Sequence, residues 1–165
     1  MIHIASDSAN SSLSVIHSKD IQPNAVDVRV DKVFRIEPKE FKISESEKKH
    51  RGSVEILPDE QGYFNLVQGA YEIIMEGIVS IGEGEAGWII TRSTLNRNGL
   101  YITSGLYDSG YEGVMAGALH VSGGPAKIQQ GTRVGQFLLF PSESLSSYDG
   151  DYGIGKSHDE KYGVN

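Results

Sequence analysis

Cysteine is absent from this 165-residue chain, which removes disulfides, thiolate metal sites and a thiol nucleophile from consideration. A basic excess is missing too: fifteen Lys and Arg face twenty-two Asp and Glu, for a formal charge of −7. Proteins that hold nucleic acid draw affinity from a basic face set against many phosphates, so no nucleic-acid partner is expected. A small anionic ligand remains compatible, provided a few cations converge locally and a divalent metal neutralises part of the ligand charge. No run of about 18 apolar residues occurs, and Met1–Ser14 lacks a basic segment followed by an apolar stretch. The expectation is a soluble, cytoplasmic protein without membrane contact.

What is present fits one compact domain. Twenty glycines and a β-branched bias favour short strands joined by turns, an all-β class. Asn24–Val30 alternates, with Val26, Val28 and Val30 on one face and Asp27 on the other. Glu37–Gly62 shifts towards charge, centred on Ser44–Arg51, and is read as a solvated hairpin or arm. Between Phe64 and Ile90, the apolar stretches Tyr71–Met75 and Gly77–Ile81 are expected as strands separated by tight turns. Thr91–Gly99 carries the one helical signal, about two turns long, opening on hydroxyl caps and closing on Asn-Gly. Leu100–Tyr107, Val114–Val121 and Arg133–Phe140 continue an antiparallel meander. From Ser142 onward there are almost no aliphatic residues, so this tail is expected to need a partner to become ordered.

Two segments have the residue types of a reactive site. At Thr91–Thr94 a helix start, an Arg and hydroxyls could cradle an anion, although the same residues also read as a simple N-cap beside a solvated Arg. Gly105–Gly113 packs three glycines, an acid and two aromatics after a strand. There Asp108 could act as a base for water and Tyr111 could lie on a sugar, or Asp108 could merely bond its own turn.

Five stretches resemble, in order, the motifs of trimeric dUTPases and the related dCTP deaminases: Ile21–Val30, Arg92–Gly99, Gly105–Gly113, Gly131–Phe137, and Tyr148–Gly153 followed by Lys161–Tyr162. Each motif alone is weak; their ordered co-occurrence is specific. The resemblance implies a distorted antiparallel β-barrel or jelly-roll with one short helix and a flexible tail, the β domain spanning 1–147 and the tail 148–165 closing over an active site. It implies dUTP diphosphatase activity on a deoxynucleoside triphosphate. Asp108 would activate water, Tyr111 would pack on deoxyribose, and Arg92, Ser93, Thr94, Arg133, Gln136, Tyr148, Tyr152, Lys161 and Tyr162 would bind substrate. Arg97 is assigned either to supporting the site or to the surface.

The same resemblance implies Mg²⁺ held mainly by substrate phosphates, with Asp27 as an indirect contributor, and a homotrimer with sites between subunits. Deaminases place a Glu five residues beyond the third motif, where this chain has Ala118, and His120 is left as a weaker proton shuttle. A deaminase and a non-catalytic nucleotide binder are therefore the competing expectations. Gly99–Gly105 is shorter than in many members, which leaves the preferred base open to a 5-substituted uracil.

Overall fold

The computed structural model describes residues 1–164; residue 165, the last of the expected tail, lies outside the described residues. Among the described residues twelve strands run in chain order: β1 (Ser12–Leu13), β2 (Val26–Ile36), β3 (Lys42–Ile43), β4 (Lys48–Lys49), β5 (Ser53–Ile56), β6 (Tyr63–Leu66), β7 (Gly69–Ser80), β8 (Glu85–Thr91), β9 (Leu100–Thr103), β10 (Glu112–Val121), β11 (Ala126–Gln129) and β12 (Arg133–Pro141). A single α-helical turn, α1 (Ser93–Asn96), follows β8. The main sheet is antiparallel in the order β8-β12-β2-β7-β10-β9, with β5 added to β2 and β1 to β7. Its two ends approach each other, since Gly87 of β8 bridges Tyr107 and the Thr91 hydroxyl bonds both backbone groups of Ile102 on β9. The result is a nearly closed barrel, an arrangement that leaves few unpaired edges.

Strand alternation explains the filling of the barrel. Val26, Val28, Val30 and Val33 of β2, Ile73 and Met75 of β7, and Val134, Phe137 and Leu139 of β12 form one buried cluster. Phe137, paired with Ile89, reaches over Gly87 and dictates a glycine there, because a Cβ would lie 2.3 Å from the Phe137 ring. Asp27, expected on the solvated face of β2, is buried instead, and its partners define the site described below.

Three further expectations are corrected. The two apolar stretches form one strand, β7, which ends at Ser80, because Gly77 adopts φ +79° within the ladder and absorbs the irregularity that other residues would break on. The helix is one turn rather than two, and Arg92, not a hydroxyl residue, occupies its N-cap position without a side-chain cap bond; Thr91 spends its hydroxyl on β9. The tail docks on its own chain. Tyr148 N–H donates to Ser109 O and Ile154 N–H to Glu112 O, and the 3-10 segment Ser157–Tyr162 buries Tyr162 beside Phe34. Close approach permits this, since a Cβ on Gly113 would lie 2.7 Å from Gly153 Cα. The charged arm is as expected at its centre, where β3 and β4 pair as an exposed hairpin, but β5, within the same stretch, joins β2 in the main sheet.

Candidate active site

Asp27 anchors one half of the polar machinery. On β2 it faces Gln136 of β12 directly across the ladder. Its Oδ1 accepts from Gln136 Nε2 at 3.2 Å, and its Oδ2 accepts from Arg133 Nη1 at 3.2 Å and Gln22 Nε2 at 3.3 Å, with Arg92 Nε 3.5 Å away. A second buried carboxylate, Asp20, holds Arg29 by two bonds, 2.5 and 2.6 Å, while Arg29 also donates to Gly131 O at 2.6 Å. Burial works to raise the Asp20 carboxyl, but the Arg29 guanidinium outweighs it and holds it below its ordinary value. Three guanidiniums thus surround two carboxylates that solvent barely reaches, while the Arg92 and Arg133 side chains stay about a third exposed. Acidic side chains buried behind exposed Arg side chains aim those cations outward, as an anion site requires. Ser93 and Thr94 stand exposed beside Arg92 at the start of α1, and Arg97 is exposed with no side-chain partner among the described residues.

The other half lies at the opposite end of β8. Asp108 is exposed beside Ala86 and the segment Ser142–Asp149, and its carboxylate has no partner among the described residues. Tyr111 is buried, its ring centroid 5.4 Å from that of Tyr107 and 5.3 Å from that of Tyr148, and its hydroxyl donates to Val114 O at 2.8 Å. Burial pushes the Tyr107 and Tyr111 hydroxyls up, so both remain neutral donors. These rings, with Tyr152 and Tyr162 from the tail, line a cavity of about 360 Å³, the size of a small-ligand site. Lys161 and Tyr162, expected from the resemblance to bind substrate, bond Glu72 here rather than joining Arg92 and Arg133.

The separation follows from strand length. Tyr107 pairs with Gly87 near the start of β8, whereas Arg92 follows its end; five extended residues span roughly 17 Å. One chain therefore keeps its carboxylate and its cation cluster apart. His120, the proposed shuttle, is half-buried, stacks on Tyr101 at 4.5 Å and meets Thr103 Oγ1 at 3.3 Å. Ala118 presents only a methyl group opposite Glu72.

Sequence reasoning missed Asp20, Arg29 and Glu72. The Asp27–Arg29 alternation on β2 was the available signal for Arg29, whereas Asp20, in the 3-10 turn Ser18–Asp20, gave none. Glu72 gave none, because its partner Tyr162 lies 90 residues away.

A metal bound by the protein alone has little to hold it. Among the described residues no cluster of three His, Asp or Glu side chains is arranged for one, and both Asp27 oxygens are engaged. Likewise, no helix among the described residues is long and apolar enough to cross a membrane.

A family model described as dCTP deaminase-like matches residues 2–142. A probable deoxyuridine 5'-triphosphate nucleotidohydrolase of Methanopyrus kandleri is 31% identical over 134 residues, covering 80% of this chain and 86% of that protein. The protein of the same name from Halobacterium salinarum is 32% identical over 136 residues, covering 80% and 82%. Among solved structures, the 2'-deoxycytidine 5'-triphosphate deaminase of Agrobacterium tumefaciens superposes with a TM-score of 0.63 at 13% identity, over 83% of this chain and 45% of that one. At that identity it speaks for a common fold alone.

Proposed function

Because this chain belongs to the dCTP deaminase-like family, we propose that it hydrolyses a deoxyuridine triphosphate to the monophosphate and pyrophosphate, in a site assembled from more than one copy. The observation that carries this reading is the split within one chain. Arg92, Arg133 and Gln136 form a phosphate cradle around Asp27, and Asp108 with Tyr111 forms a nucleoside end on the far side of β8. A neighbouring copy brings the two halves together, and a closed ring of three is the assembly we infer.

Asp108 accepts a proton from a water whose oxygen attacks the α-phosphorus. The bond from the α-phosphorus to the bridging oxygen breaks, and pyrophosphate leaves. Arg92, Arg133, Ser93 and Thr94 bind the phosphate oxygens and disperse the charge that develops on them. Gln136 adds a donor amide. Tyr111 supplies an apolar wall for the deoxyribose, and the tail residues Tyr148 and Tyr152 close the cavity around it. Mg²⁺ would be held mainly by the substrate's phosphate oxygens, with Asp27 as an indirect contributor, and would neutralise part of their charge. The deaminase reading meets only a methyl group at Ala118, where the resemblance calls for a carboxylate.

The experiment is to incubate the purified protein with each deoxynucleoside triphosphate and Mg²⁺. Pyrophosphate from dUTP is expected. Formation of dUTP from dCTP would mean a deaminase, and saturable binding without product would mean a regulatory protein. Light scattering should give three times the chain mass.

A further inference from the structure

Glu72 is a charged residue placed where the mechanism above does not use it. It lies on β7, directly opposite Ala118 of β10, so both side chains leave the same face about 5 Å apart at Cβ. Ala116 and Ala118, which share that face of β10, leave it open. Gly117 is required by β9 behind it, since a Cβ there would lie 2.8 Å from Thr103 O. Glu72 consequently borders two adjoining cavities: the tyrosine-lined one, of about 360 Å³, and a second of about 530 Å³ that also reaches Ser53 and Lys161.

The bonds of Glu72 fix its chemical character. Tyr162 donates its hydroxyl to Oε1; Lys161 Nζ donates to Oε2 at 2.9 Å and Ser53 Oγ at 2.8 Å. Burial tends to raise the carboxyl, but these donors outweigh it and hold it below its ordinary value. An ionised carboxylate only accepts hydrogen bonds, so whatever meets it must offer an N–H or O–H. Beside it Lys161 makes two bonds, to Glu72 and to Ser53 Oγ at 3.2 Å, and keeps a third proton. An acceptor next to a donor complements an imide edge, in which a ring N–H adjoins a carbonyl.

The geometry points to Glu72 as the residue that reads the base, accepting the N3–H of a uracil-type ring while Lys161 donates to the adjoining carbonyl. The inference rests on the reading that the tyrosine-lined cavity takes the nucleoside end of a deoxynucleoside triphosphate. Cytosine in the same pose turns a ring-nitrogen lone pair towards the carboxylate, and two acceptors then face each other with no proton between them. Such a loss of a donor at a site built for one is heavily penalised.

Calorimetric binding of α,β-imido analogues of dUTP, N3-methyl-dUTP and dCTP tests this without requiring turnover, so it stands apart from the hydrolysis assay. Wild-type protein should bind the dUTP analogue roughly 100-fold or more tightly than either of the others. In Glu72→Gln and Glu72→Ala both ratios should shrink to about tenfold or less. Tyr162→Phe, which removes a bond to Glu72 and loosens the tail but keeps the ring, should preserve the ratios. A purely structural anchor for the tail would weaken all three analogues by one common factor, and that result overturns the proposal. So does wild-type protein that binds the three alike or prefers the dCTP analogue, or a Tyr162→Phe protein that loses discrimination as fully as Glu72→Gln.

Discussion

The cation cluster and the tyrosine cavity are built by opposite means. Around Asp27 the side chains are set by ladder register: Gln136 faces Asp27, Arg133 faces Arg29, and neighbouring strands lock both pairs. Around Tyr111 the walls come from sequence-distant, turn-rich segments, the tail folding back through Gly113 and Gly153 to bring Tyr148 and Tyr162 against β10 and β7. Phosphate geometry is shared by every nucleotide and suits a rigid frame. On the proposed reading the tyrosine cavity has to admit one base and enclose it, which suits a segment that folds over.

The comparison can be sharpened first at Asp108. Asp108→Asn should lower turnover by about 10³-fold while leaving binding of an imido analogue largely intact, since the change removes the proton acceptor and little else. Single-turnover kinetics with calorimetry checks both halves, and unchanged turnover would take Asp108 out of the mechanism.

Asp27→Ala should act on the rigid region alone. It leaves a buried pocket of donors without their acceptor, a change that costs about 3 kcal/mol when a buried pair is broken. Urea denaturation should show that loss, and KM should rise more than kcat falls, because Arg92 and Arg133 lose their aim.

How much of this could be read beforehand divides along the same line. Arg92, Asp108 and Tyr111 lie in short segments beside strands whose residue types suggest a site, whereas Arg133 and Gln136 were reached only through the family resemblance. The all-β class followed from glycine-punctuated alternation, and the barrel from the family resemblance. The buried side of Asp27 did not, because alternation assigns a face without saying whether a second layer covers it. Nor did the docking of the tail, since its anchors, Tyr162 to Glu72 and Ile154 to Glu112, join residues far apart in sequence. Burial of Tyr162 against Phe34 supplies apolar contact that the tail's composition conceals.

A smaller effect concerns acid stability. The Asp20 carboxyl is depressed from 3.8, so the stability that Arg29 confers is complete above that pH and is lost as pH falls through the folded-state value. Asp20→Asn should therefore melt lower than wild type at pH 7, and the gap in Tm should close as pH falls below 3.8. A constant gap across that range would show that charge is not what Asp20 contributes.

The least effect is expected at Arg97, exposed and unpartnered among the described residues. Arg97→Ala should keep kcat/KM within about twofold of wild type, as surface changes usually do. A larger loss would extend the cation cluster to the helix end.

The most direct measurement of the central claim mixes two dead proteins. Asp108→Asn and Arg92→Ala each disable one half of the machinery; after co-refolding at equal amounts, some sites receive the intact half of each chain. If sites form between copies, random assembly restores roughly a quarter of the wild-type dUTP turnover. If each chain housed a complete site, the mixture would do no better than the average of its two parents.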